Sequence, residues 1–209
     1  MARSPRSPRQ QRAKATVEAI IQAGFEELAE HGVAGATAQR IAKRAGVGIG
    51  SFYEYFSNRD DVFVEVFRRL SDQTVALIRE LAPQMINLEI RDALRLLLYQ
   101  VADMLRENDG IYLRCVQQGL GADLPIERGP VERALTELSM QYLMHHPGHL
   151  RGRNIPVAIY IFIHGGMHAY IHHLNEASPA ISFEQLVDGL ADMVGHYAER
   201  EIQLMDAGS

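Results

Sequence analysis

Apolar positions recur every three to four residues along nearly the whole chain, a period that predicts helices almost throughout. Val17, Ile20, Ile21, Gly24, Phe25 and Leu28 form one stripe, and Gly32 is placed to end that helix. Thr37 can cap a second, short helix whose narrow apolar face is Ile41, Ala42 and Ala45. Gly46 suits a turn position with positive φ, and a third helix restarts at about Gly48 with Phe52 and Phe56 on one side. A longer helix is expected after Asn58, with Asp60 and Asp61 in its first turn. It runs through Phe63, Val66, Phe67, Leu70, Leu77 and Leu81 to a stop at Pro83. Ile90, Ala93, Leu94, Leu97, Val101 and Leu105 mark the next helix, closed by Asn108, Asp109 and Gly110. A brief helix over 111–118 and a glycine-rich loop over 119–129 follow. Pro130 suits a first helical position, and Val131, Leu135, Leu138 and Tyr142 carry that helix to a His-His-Pro-Gly break.

The last two helices differ from the rest. Residues 155–174 are apolar nearly all round, which predicts burial on more than one side. A membrane span is the alternative; four histidines, a glycine pair and a borderline length argue against it. The final helix opens with Ser182 and Gln185 in capping-box spacing, flanked by Ile181 and Leu186 as a hydrophobic staple. Its stripe is Phe183, Leu186, Val187, Leu190, Met193, Val194 and Tyr197. Two such helices carry more apolar surface than one small domain can cover. Pairing with a second copy would make a four-helix interface, with Gly165, Gly166 and Ala169 letting axes approach and Leu186, Leu190, Val194 and Tyr197 filling it.

The two short helices about Gly46 fit a helix-turn-helix, whose second helix enters the major groove of DNA. An ordinary αα-hairpin has the same outline. The outward chemistry separates them: Gln39, Arg40, Lys43, Arg44, Ser51, Tyr53, Tyr55 and Arg59 are donors suited to phosphate oxygens, and few acids interrupt them. Gly50 would let the helix backbone approach the sugar-phosphate rail. Ser51 is a candidate for a base or phosphate hydrogen bond, and Glu54 could accept from a cytosine amine. Projection at 100° per residue puts Tyr53 beside Ile49, Phe52 and Phe56, as core; an amphipathic ring can bury its face and still wet its hydroxyl.

The 209 residues are 47% hydrophobic, enough for a real core, yet the net charge of −5 looks wrong for a DNA binder. Its distribution resolves this. Residues 1–60 hold nine Lys or Arg against six Asp or Glu, a net +3, and the remainder carries 12 against 20, a net −8. DNA affinity would therefore be local and salt dependent. Residues 1–14 contain Arg3, Arg6, Arg9, Arg12 and Lys14 without an acid, and read as a disordered basic arm, either a minor-groove tail or a solvated one. No apolar run follows these charges until Val17, so the segment is not a signal peptide and a cytoplasmic protein is expected. The single cysteine, Cys115, excludes an internal disulfide and reads as a small buried hydrophobe.

From about Ala13 to Phe67 the chain resembles the amino-terminal domain of the tetracycline-repressor (TetR) family of transcription regulators. The likeness is carried by Phe25 and Gly32, Thr37, Ile41-Ala42, Ala45-Gly46-Val47, Gly50, Tyr53, Phe56 and the cation Arg59. The family commonly has Ser or Thr where Gly48 stands and often Lys where Ile49 stands. The resemblance implies an all-α protein. It would comprise an N-terminal three-helix helix-turn-helix DNA-binding domain over 15–58 and a C-terminal helical effector-binding and dimerisation domain over 59–209. It implies DNA contacts by Thr37, Gln39, Arg40, Gly48, Ile49, Gly50, Ser51, Tyr53, Glu54, Tyr55 and Arg59, with the tyrosine at 53 reaching a phosphate. It also implies a homodimeric repressor on a near-palindromic operator, released by a small, largely apolar effector. Residues chemically suited to line the effector pocket are Met104, Tyr112, Cys115, Met140, Phe162, Met167 and His168.

His164, His168 and His172 recur every four residues and so share one helical face, where a metal site, a pocket lining or structural packing are all possible. No nearby Cys or carboxylate completes a ligand set by spacing. The rival function is a helical metal-dependent enzyme or metal sensor built on 155–174. An enzyme would need a nucleophile, base and orienting group, and no such constellation is seen, so neither catalysis nor a cofactor or metal is expected. His145, His146 and His149 flank a Pro-Gly turn and read as solvated.

Overall fold

The computed structural model describes residues 8–119, 124, 129–147 and 154–206, and side chains within these except 8–9 and 201–206. Among the described residues it is all-α: α1 Pro8–Gly35, α2 Ala38–Arg44, α3 Ile49–Tyr53, α4 Arg59–Met85, α5 Ile90–Gly119, α6 Gly129–His145, α7 Ile155–Asn175 and α8 Phe183–Asp206. The chain divides into two compact units, Met1–Leu70 with Leu105–Ile126, and Ser71–Met104 with Glu127–Ser209. α4 and α5 each contribute residues to both.

The first unit is built around one core. Ile20, Ile21 and Leu28 of α1, Ile41 of α2, Phe52 of α3 and Val62, Phe63 and Val66 of α4 are all essentially sealed from water. Burial of each such side chain is worth about 1.5–3 kcal/mol relative to exposure, which fixes the short helices that could not stand alone. Residues beyond the helix-turn-helix complete this core, including Phe67, Leu70 and Cys115. α1 is interrupted where expected, at Gly32, whose φ of 65° is left-handed.

The second unit packs Ile78, Leu81 and Met85 of α4 and Ala93 and Leu97 of α5 against Ala134, Leu138 and Tyr142 of α6. Tyr142 donates from its hydroxyl to the Leu88 carbonyl at 3.1 Å. α8 is tied to α5 by charge: Arg91 reaches Asp192 at 3.1 Å and Glu199 at 2.6 Å, and Arg95 reaches Asp188 at 2.8 Å. Its start is the expected capping box. Gln185 N–H donates to Ser182 Oγ at 3.1 Å, and Ser182 N–H donates to Gln185 Oε1 at 2.8 Å. No helix among the described residues is long and apolar enough to cross a membrane.

Several elements differ from the sequence-based reading. The arm expected to be structureless over 1–14 is helical from Pro8, while residues 1–7 lie outside those described. Gln10, Gln11, Arg12, Ala13 and Lys14 are strong helix formers, so an already nucleated α1 extends through them. Pro83 does not stop α4, which continues to Met85. So close to a helix end, few downstream turns depend on the missing N–H, and Asn87 Nδ2 donates to the Pro83 carbonyl at 2.8 Å. The segments before and after 107–110 are merged into one α5, yet Glu107, Asn108, Asp109 and Gly110 are non-helical, with φ between 51° and 71° at the last three. The break therefore falls on the predicted residues. Most of the loop expected over 119–129 lies outside those described. His146, read as solvated, stacks on Tyr142 with centroids 4.3 Å apart and reaches the Ile86 carbonyl at 2.9 Å. In α7, Tyr170 and His173 are buried within the subunit, while Val157, Tyr160 and Ile161 are exposed.

Candidate nucleic-acid interface

The helix-turn-helix is assembled by local bonds that its sequence dictates. Thr37 stands extended before α2, and its Oγ1 accepts the Arg40 N–H at 3.2 Å, satisfying an amide that the first turn leaves open. α2 ends as the Ala45 N–H bonds the Ile41 carbonyl at 2.9 Å. Gly46 then takes a φ of 70°, where a β-carbon would be strained, and the Val47 N–H returns to the Ala42 carbonyl at 3.0 Å. α3 follows, with Gly48 as an N-cap that offers no side-chain bond.

α3 is oriented by a single anchor. Phe52 is 0% exposed and touches Phe56, with centroids 6.0 Å apart, and Tyr53, edge-on at 5.3 Å. Tyr53 itself remains 54% exposed, so it meets the core through Phe52 and keeps most of its surface in water. Ile49, Tyr55 and Glu54 are exposed as well, Ser51 is half-buried, and a β-carbon added to Gly48 or Gly50 would meet nothing within 4 Å. The outer surface of α3 and the turn after it is thus Tyr53, Tyr55, Glu54, Ile49 and bare backbone.

The cations are distributed differently from the sequence reading. Glu27 of α1, 3% exposed, accepts from Arg40 Nε at 2.8 Å and from Arg44 Nε at 2.6 Å. Arg44 also grips Glu30 at 2.5 Å and Glu26 at 3.4 Å, and Arg40 Nη2 contacts His31 Nε2. Arg40 and Arg44 therefore brace α2 on α1. Burial alone would raise the Glu27 carboxyl, but the bonds from Arg40 and Arg44 outweigh it and hold the group below the ordinary carboxylate range. Arg59 Nη1 donates to the Ala36 carbonyl at 2.6 Å and pins the chain just before α2. Gln39 and Lys43 are exposed, and among the described residues Lys43 has no ion-pair partner. Reading charge along the sequence missed this brace. Its signal was Glu26 with Glu30 and Glu27 with His31, each pair one turn apart on a single helix.

Glu27→Gln should lower stability by about 1–3 kcal/mol, since it leaves two guanidinium groups facing a neutral amide, and urea unfolding would measure it. Because the folded carboxyl titrates lower than the unfolded one, its contribution is complete above the ordinary carboxylate range. It vanishes as pH falls through the depressed value, so the variant's deficit should be full at neutral pH and disappear in acid.

The other predicted residues are dispersed. Tyr112 and Cys115 belong to the first unit's core: Tyr112 faces Phe25 at 5.4 Å, and the Cys115 thiol donates to the Phe25 carbonyl at 3.3 Å. Burial pushes that thiol up to about 12. Met104, Met140, Phe162, Met167 and His168 belong to the second unit. There Met140 is exposed, Met104 and Met167 are half-buried, Phe162 meets Tyr197 edge-on at 5.5 Å, and His168 lies parallel to His172 at 6.1 Å. A wide, open surface depression of about 410 Å³ in this unit is lined by Gly129, Glu132, Arg133, Thr136, Glu137 and His164. Of the residues assigned to the dimer seam, Leu186 is buried inside its own subunit, and Leu190, Val194, Tyr197 and Ala169 are half-buried. Gly165 and Gly166 border open space. His164 lies 3.7 Å from Glu132 and His172 lies 3.4 Å from Glu176; among the described residues no group of three or more His, Cys, Asp or Glu is placed to share an ion.

Comparison with known proteins points the same way as this geometry. The family model for bacterial regulatory proteins of the TetR family matches residues 20–66. The fatty acid metabolism regulator protein of Bacillus subtilis is 42% identical over 48 residues, 23% of this chain and 25% of that protein. The match therefore spans about a quarter of the length of that relative. Among solved structures, the fatty acid degradation regulator FadR from Bacillus halodurans superposes with a TM-score of 0.62 at 21% identity, covering 91% of this chain and 96% of its own. SmeT, the repressor of the Stenotrophomonas maltophilia multidrug efflux pump SmeDEF, gives 0.61 at 17% identity, with 89% of each chain covered. Residues 20–66 thus match the TetR-family model for bacterial regulatory proteins, and the helical fold of the whole chain is shared with solved regulators.

Proposed function

We propose that this protein is a cytoplasmic, ligand-responsive transcriptional repressor that binds operator DNA as a homodimer and has no catalytic role. The observation that carries the reading is α3: a short helix anchored from behind by Phe52 while Ile49 and Tyr53, with Tyr55 just beyond its end, stand exposed beside bare glycine backbone. Tyr53, Tyr55, Gln39 and Lys43 are the phosphate contacts in this proposal, Ser51 and Glu54 meet base edges, and Gly48 and Gly50 give the backbone close approach. Arg40, Thr37 and Arg59 contribute by holding α2 in place through the bonds described above.

Dimerisation is supported by the exposed apolar row of α7, Val157, Tyr160 and Ile161, which continues past the open Gly165. A two-fold dimer requires a near-palindromic operator, with half-site centres about 34 Å or a multiple apart. An effector that prefers the DNA-incompetent arrangement by a few kcal/mol suffices for release, since each 1.4 kcal/mol is about tenfold in population. The effector is proposed to bind in the second unit and to be small and largely apolar.

The test begins with selection of genomic fragments by the purified protein, followed by anisotropy titrations across salt. Lys43→Ala should weaken binding to all duplexes and lower the salt slope by about one, and Tyr53→Phe should weaken binding uniformly. Lys43 is a cleaner probe than Arg59, whose removal would also release the Ala36 carbonyl. Ser51→Ala should shift preference among operators by about 1–3 kcal/mol. Equal binding of every duplex by all three variants and the parent would remove the assigned interface.

A further inference from the structure

We infer that Ile49 is a specificity residue that selects thymine in each half-site through its 5-methyl group. The assignment rests on the reading of α3 as the helix that enters the major groove. Ile49 opens α3 and is 41% exposed, whereas Phe52, one turn on, is fully buried. A lone exposed isoleucine is ordinary on a protein surface. Its flanks are not. Gly48 stands at φ −68° and ψ 148°, a conformation any residue adopts, at an N-cap where serine would add a bond. Gly50 lies inside the helix, where alanine is the better helix former. Neither has anything within 4 Å of an added β-carbon, so packing inside the protein explains neither. Local stability is forgone twice around a single projecting side chain, an arrangement that suits close approach to something outside.

Isoleucine has no donor or acceptor. Pressed on a phosphate or on the polar edge of a base, it would strip water from that group and return no bond. Among the base edges displayed in the major groove, the apolar feature is the methyl group of thymine, and contact with it removes two hydrocarbon surfaces from water together. The bare positions on either side let the helix start come near enough for so short a side chain to make that contact.

The experiment uses the full-length protein and a synthetic duplex carrying the operator recovered by fragment selection. Each thymine is replaced in turn by deoxyuridine, which pairs identically and lacks only the methyl group. One position per half-site should weaken binding by about fourfold, and about fifteenfold when both half-sites are changed. Ile49→Ala should be indifferent to that replacement while keeping the parent's salt slope and circular dichroism spectrum. Parent protein that binds thymine and uracil duplexes equally at every position would overturn the assignment. So would discrimination that survives in Ile49→Ala, because another side chain would then be reading the methyl. Failure to bind any duplex would bring down the DNA-binding reading and this assignment with it, a result separable from binding that ignores the methyl.

Discussion

Phe52→Ala should destabilise the protein by about 3–5 kcal/mol and remove operator binding at concentrations where the parent saturates. The ring is fully enclosed, so truncation leaves a cavity as well as losing its transfer free energy. The structural consequence exceeds the energetic one. α3 spans five residues, far below the length at which a helix persists in water, and Phe52 is its one fully buried side chain. The larger helices α1 and α4 keep Ile20, Ile21, Leu28, Phe63 and Val66 and should survive near room temperature. Urea unfolding followed at 222 nm would report the loss, and anisotropy on a labelled operator would report binding. A variant that is destabilised as expected yet binds DNA with parental affinity would show that α3 is not the recognition element.

Gly165→Glu should convert the proposed dimer to monomers and lower operator affinity by about 10²–10⁴-fold, the advantage that two linked half-site contacts confer. Position 165 makes the result interpretable. A β-carbon added there meets nothing within 4 Å in its own subunit, so a side chain starts into open space and a loss of pairing points to what a second copy brings to that surface. Leu186 lacks this virtue. At 9% exposure it belongs to its own subunit's interior, and a charge there would disturb the fold before it disturbed pairing. Sedimentation velocity with a thermal melt would separate the two cases. A Gly165→Glu protein that remains dimeric would exclude this part of α7 from the interface.

Local chemistry was the legible part of the fold. The Thr37 cap, the left-handed Gly46, the break at Asn108 to Gly110 and the Ser182–Gln185 box all depend on residues within four positions of one another, and sequence shows those directly. Interactions across longer separations were not legible. Arg44 finds Glu30 fourteen positions away, because packing of the Ile41 face against α1 brings the two surfaces together. A count of charges along the chain placed Arg40 and Arg44 as free donors, and the third dimension spent them on the brace. The uniform hydrophobicity of 155–174 predicted burial, while the subunit itself leaves Val157, Tyr160 and Ile161 uncovered. His146 was misread for a similar reason, since the Ile86 carbonyl it reaches lies 60 positions away, in the turn after α4.

Cys115 gives the molecule a built-in gauge. Its sulfur is enclosed by the first unit's interior and bonded to the Phe25 carbonyl, and with its ionisation pushed up to about 12 almost no thiolate exists at neutral pH. A disulfide reagent can therefore react only during excursions that expose the sulfur, and with no second thiol in the chain every modification counts the same event. The labelling rate of unmodified protein becomes a clock for how often the DNA-reading half breathes, legible with and without operator, and without any engineered probe.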